Sequence, residues 1–105
     1  AVDFLQPDVA KMGGITAMRT SLEMADAAGK ELHPHSPLFG PALAATLHIL
    51  ATMPKTTACE FYFADLENNP IGAIATPVDG AFSVPQGPGL GITVDEGLLE
   101  RYRID

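Results

Sequence analysis

Asp8, His35 and Glu60 place a carboxylate, an imidazole and a second carboxylate in three successive strand-like runs, Val2 to Asp8, Glu31 to His35 and Thr57 to Phe63. Asp8 and His35 close their runs, Glu60 lies inside its own, and each is one strand-plus-helix unit from the next. In a barrel of parallel strands, residues near the carboxyl ends converge on one mouth. Two carboxylates and an imidazole meeting there are the materials of general acid–base chemistry.

The elements that must position them follow from residue spacing. After the first run, Gly13-Gly14 leads into a helix with Ile15, Met18, Leu22 and Ala25 on one apolar face. Thr16 is the expected cap of its start and Gly29 of its end. The second unit repeats the plan. Its strand Glu31 to His35 is followed by a turn from Ser36 to Gly40 and a helix opening at Pro41, where proline suits the first turn. Leu43, Leu47 and Leu50 form the buried stripe of that helix, and Pro54 stops it. Strand, helix, strand, helix, strand is the order of a parallel α/β sheet.

Strand parity sorts the side chains, because alternate residues share a face. Leu5, Leu32, Cys59, Phe61 and Phe63 are expected on the helix side. Phe4, Gln6, Asp8, His33, His35, Ala58, Glu60 and Tyr62 are expected on the other, which therefore holds nearly all the reactive groups. From Asn68 onward the chain is rich in Pro and Gly, with a short strand expected at Ala81 to Val84. A last helix is expected from about Thr93 to Tyr102, with Thr93 and Glu96 at capping-box spacing.

Composition narrows the classes. A chain of 105 residues, 47% of them apolar, has the length of one small domain and must pack. Its net charge of -7, without a Lys/Arg cluster, argues against a nucleic-acid partner. The single Cys59 rules out an internal disulfide and fits a reducing, cytoplasmic setting. No basic leader region and no apolar run near the ~20 residues of a membrane span is present, so no membrane partner is expected. Three parallel strands alone leave faces and edges uncovered, and the chain is expected to be a fragment of a larger barrel.

Three motifs in order carry a family resemblance: Gln6-Pro-Asp-Val-Ala-Lys-Met-Gly-Gly-Ile-Thr16, His33-Pro-His-Ser-Pro-Leu38 and Val84-Pro-Gln-Gly-Pro-Gly-Leu-Gly91. Together they resemble the carboxyl-terminal part of the enolase superfamily, in the mandelate racemase/muconate lactonizing enzyme family and its mandelate racemase-like branch. The resemblance covers essentially the whole chain. It implies strands six to eight of a TIM-like (β/α)7β barrel, with residues 1–67 as the partial barrel. Residues 68–105 become an irregular tail packing on the barrel or on a capping domain. Asp8 and His35 match the dyad positions of that branch and Glu60 its eighth-strand glutamate. The lactonizing branch carries a lysine where this chain has Asp8.

The implied reaction is removal of the proton α to a carboxylate, through an enediolate that Mg2+ stabilises with ligands outside this chain. His35 is the implied base, Asp8 the acceptor that orients it, and Glu60 the group near the substrate carboxylate; His33 and Tyr62 are candidates for substrate contact. Returning the proton to carbon gives a racemase or epimerase. Giving it to a departing β-hydroxyl gives an acid-sugar dehydratase, the leading expectation. The expected partners are a small carboxylate, the rest of the barrel with its capping domain, and further copies in a homo-oligomer. Two readings compete: a non-catalytic carboxylate-binding barrel, and a metal hydrolase beginning its ligands at His33 and His35. Lys11 reads as a solvated charge, His48 as a partly buried helix histidine, Cys59 as a small core residue and the four methionines as packing.

Overall fold

A computed structural model describes residues 2–54 and 58–104. In chain order the elements are β1 (Phe4–Leu5), α1 (Ile15–Ala27), β2 (Glu31–Leu32), α2 (Pro41–Leu50), a 3-10 turn (Gly72–Ala75) and α3 (Glu96–Arg101). β1 and β2 pair in parallel, Phe4 opposite Glu31 and Leu5 opposite Leu32, with α1 as the crossover. The assigned strands are shorter than the runs expected from sequence, and proline is the reason. Beyond the strands, His33 N–H still donates to the Leu5 carbonyl (2.9 Å) and His35 N–H to the Pro7 carbonyl (3.0 Å). The return bond to the His33 carbonyl needs a donor at residue 7, a proline without an N–H, and Pro34 likewise offers no N–H on the side that faces residues 58–60.

Both helices open on glycine. Gly14 (φ 110°, ψ -171°) precedes α1 and Gly40 (φ 82°, ψ -149°) precedes α2, conformations in which a Cβ is strained, so each extended run can turn at once into its helix. Gly14 caps α1 in place of the expected Thr16, which lies inside the first turn. Gly29 (φ 63°) does close α1: its amide bonds the Asp26 carbonyl and that of Lys30 the Ala25 carbonyl, as a left-handed cap requires. α2 begins at Pro41, as expected.

The core has two clusters. Met18 and Ala25 from α1 pack with Leu32, Val9, Ala45 and Ile49, while Leu22 is partly buried; Ile15 stays exposed. Leu43 and Leu47 of α2 pack with Ile71 from the tail; Leu50 is half-buried. α2 is buried nearly all round, which accounts for its almost unbroken apolar sequence.

The expected third strand does not form over residues 58–63, and Thr57 lies outside the described residues. Glu60 N–H donates to the Pro34 carbonyl at 3.3 Å, the first rung of such a strand. The next rung would run from the Ser36 amide to the Glu60 carbonyl, but that amide donates to the Glu60 side chain instead. Cys59 and Phe61 line one cleft with Leu47 and Leu50 of α2, but so does Ala58, expected on the other face, and Phe63, expected on the helix side, is 91% exposed. In the tail, Val78 and Ala81 form an isolated bridge and no strand covers Ala81 to Val84. α3 is capped by Asp95, whose carboxylate accepts from Leu98 N–H at 2.9 Å, not by the expected Thr93–Glu96 box.

Candidate active site

Register brings the three groups together. The offset that sets Phe4 opposite Glu31 sets Asp8 opposite His35, and the Glu60-to-Pro34 bond sets Glu60 opposite His35 on the other side. Three neighbouring chain segments thus present Asp8, His35 and Glu60 in a row. His35 Nδ1 lies 2.8 Å from Asp8 Oδ2, and His35 Nε2 lies 3.9 Å from Glu60 Oε2.

Asp8 is 4% exposed and fully engaged. Its Oδ1 accepts from the amides of Ala10 (2.9 Å) and Lys11 (3.1 Å), which folds the loop toward Gly13-Gly14 over it, while Oδ2 faces His35. Burial pushes the Asp8 pKa up, but the His35 hydrogen bond, the two amides and the Lys11 charge outweigh it and hold the carboxyl below its ordinary value. Ionised Asp8 can only accept, so Nδ1 of His35 is the donor, and in the neutral ring Nε2 is the nitrogen without a proton, on the side of Glu60. The His35 side chain is one-third exposed.

Glu60 is held at Oε2 by the Ser36 amide (3.1 Å). Lys11 is 73% exposed, with its ammonium 3.9 Å from Asp8 Oδ2. The two sequence candidates for substrate contact have other partners. His33 turns its Nε2 back toward Glu31 (3.2 Å) and meets Phe4 edge-on at 5.1 Å, at the amino end of the strands. Tyr62 packs edge-on against Phe39 at 5.5 Å. His48 bonds the Leu90 carbonyl (3.1 Å) and ties α2 to the glycine-rich tail loop. Sequence reasoning passed over Ser36 and the Ala10 and Lys11 amides. The amides carry a signal, since an Asp at a strand end often bonds the amides two and three residues on; Ser36 carries none.

Among the described residues no group of three or more His, Cys, Asp or Glu side chains could hold a metal ion. Asp8 is engaged with two amides and the imidazole and Glu60 Oε2 with the Ser36 amide, so the described residues do not make a metal centre. No helix of the described residues is long and apolar enough to cross a membrane.

The chain thus contains a parallel βαβ unit with an aspartate–histidine pair at the carboxyl ends of its strands. Residues 1–98 match the family described as Enolase C-terminal domain-like, and the chain belongs to that family. It is 30% identical to the D-gluconate dehydratase of Thermoproteus tenax, over 99% of this chain and 22% of that protein. It is 32% identical to the D-galactarolactone cycloisomerase of Agrobacterium fabrum, over 99% of this chain and 30% of that protein. A crystal structure of a mandelate racemase/muconate lactonizing protein from Paracoccus denitrificans, complexed with magnesium, superposes with a TM-score of 0.73 and 36% identity. That superposition covers 96% of this chain and 28% of the other. The chain therefore spans between about a fifth and a third of the length of these relatives.

Proposed function

We propose that the protein of which this chain forms part removes the proton α to the carboxylate of a sugar acid and expels the β-hydroxyl, as a dehydratase. The observation that carries the proposal is the 2.8 Å bond from His35 Nδ1 to a buried, ionised Asp8, with Nε2 left free beside Glu60. Nε2 takes the proton from carbon, the Asp8 charge stabilises the imidazolium that results, and the same nitrogen then donates to the leaving hydroxyl. Glu60 stands by the substrate carboxylate. The kinship with a D-gluconate dehydratase supports the sugar-acid class. A racemase or epimerase is the second reading, since returning the proton to carbon uses the same atoms.

The proposal extends to the setting: residues 1–67 as strands six to eight of a (β/α)7β barrel, residues 68–105 as a tail, a homo-oligomer, and Mg2+ bound by residues outside this chain. The magnesium in the P. denitrificans relative supports the last point. Incubating the complete protein with Mg2+ and D-gluconate, D-galactonate and related acids in D2O tests the chemistry. A keto-deoxy product is expected; deuterium at the α-carbon without product favours the racemase, and neither across the panel removes both.

A further inference from the structure

Ser36 presents two anomalies in one residue. Its amide is diverted from the rung it would make with the Glu60 carbonyl and given to Glu60 Oε2. Its hydroxyl is wholly buried and, among the described residues, makes no hydrogen bond of good geometry, its one polar interaction being a weak one with the Cys59 sulfur. The Glu60 carbonyl accepts only the Cys59 thiol, at 3.4 Å, among the described residues. Thiols are weak donors and weak acceptors. Burial raises the Cys59 pKa, the Ser36 hydroxyl pulls it partly back and the Glu60 charge raises it again, so the thiol stays protonated at neutral pH.

Donors and acceptors here allow a second arrangement. Ser36 offers an N–H and an O–H; Glu60 offers a carboxylate and a carbonyl. In the arrangement described, the hydroxyl faces only a thiol, a weak partner, and the carbonyl is poorly served. If the amide returns to the carbonyl, the rung closes, and rotation of the Ser36 side chain offers its hydroxyl to the carboxylate. A buried hydroxyl left without a partner destabilises a fold. Ser36 follows His35 in the chain and already holds Glu60 through its amide, which gives the hydroxyl a use.

We propose that Ser36 is a positioning residue for Glu60: its amide holds the carboxylate at rest, and its buried hydroxyl takes over that hold when Glu60 engages the substrate. The proposal rests on Glu60 acting on the substrate, as read above.

The test is Ser36→Ala, Glu60→Gln and the double variant in the complete protein, with melting temperature, kcat and KM measured for each. Ser36→Ala keeps the amide and removes only the hydroxyl. Its melting temperature should equal or exceed the parent's, while kcat falls about tenfold or more with KM within about twofold. In the Glu60→Gln background the same change should cost little further activity, because the hydroxyl acts through the carboxylate. A lowered melting temperature would show a hydroxyl already bonded at rest and overturn the proposal. So would full activity in Ser36→Ala, or losses that multiply in the double variant. A parent protein inactive on every acid would overturn the functional reading instead, and the melting comparison would still decide whether the hydroxyl is idle at rest.

Discussion

The two halves of the chain are built differently. Residues 2–54 hold both paired strands, the two long helices and most of the buried core, and they fix Asp8 and His35 opposite one another across one ladder. Residues 58–104 are mostly loop, with a six-residue helix that buries none of its residues, and they leave Phe63, Val78 and Ile104 exposed. Glu60 belongs to this second half and is joined to the first by the Pro34 carbonyl and the Ser36 amide. The dyad is therefore part of a packed unit, whereas Glu60 is tethered to it by hydrogen bonds. Substitutions that remove packing should therefore cost more stability in the first half than in the second.

The largest effect is expected at Asp8. In Asp8→Asn the side-chain oxygen must still accept from the Ala10 and Lys11 amides, so the new NH2 faces His35 Nδ1 and forces the proton onto Nε2. The base is then lost with the fold intact, and α-proton exchange should fall by about 10^4, the size seen when a carboxylate–histidine pair loses its tautomer. Exchange at parental rates would break the distinction at its strongest point. Next comes Met18, wholly buried in the first cluster. Met18→Ala should destabilise the complete protein by about 2–5 kcal/mol in denaturant unfolding, against about 0.5 kcal/mol or less for Phe63→Ala in the second half.

Glu60→Gln should lower kcat by about 10^2 and leave the melting temperature nearly unchanged, since the side chain is partly exposed and an amide oxygen can still accept from Ser36. The smallest effect is on acid stability. The Asp8 pKa is depressed in the fold, so its contribution is fully present above the ordinary value of 3.8 and is lost as pH falls below that toward the folded value. Melting temperatures of the parent should drop across that window more steeply than those of Asp8→Ala.

What the sequence disclosed follows the same division. α1 and α2 were legible almost to the residue, because each has an apolar stripe bounded by glycine or proline, signals that survive without tertiary context. The candidate site was legible as residue types at equal places in successive strand–helix units, and register does bring Asp8, His35 and Glu60 side by side. The third strand was not, because its pattern of alternation says nothing of where the Ser36 amide goes. Nor could parity tell that His33, on the same face as His35, would turn back to Glu31. The capping residues Gly14 and Asp95 displaced Thr16 and Thr93 since helix starts shift by one or two residues at little energy.

The central claim is that His35 Nε2, freed by the bond of Nδ1 to Asp8, is the atom that moves the proton. The most direct measurement is α-proton exchange in D2O by the complete protein carrying His35→Asn, with a sugar acid that the parent exchanges. Exchange reduced to the uncatalysed background is the predicted result. Exchange at the parental rate in a folded variant would contradict it.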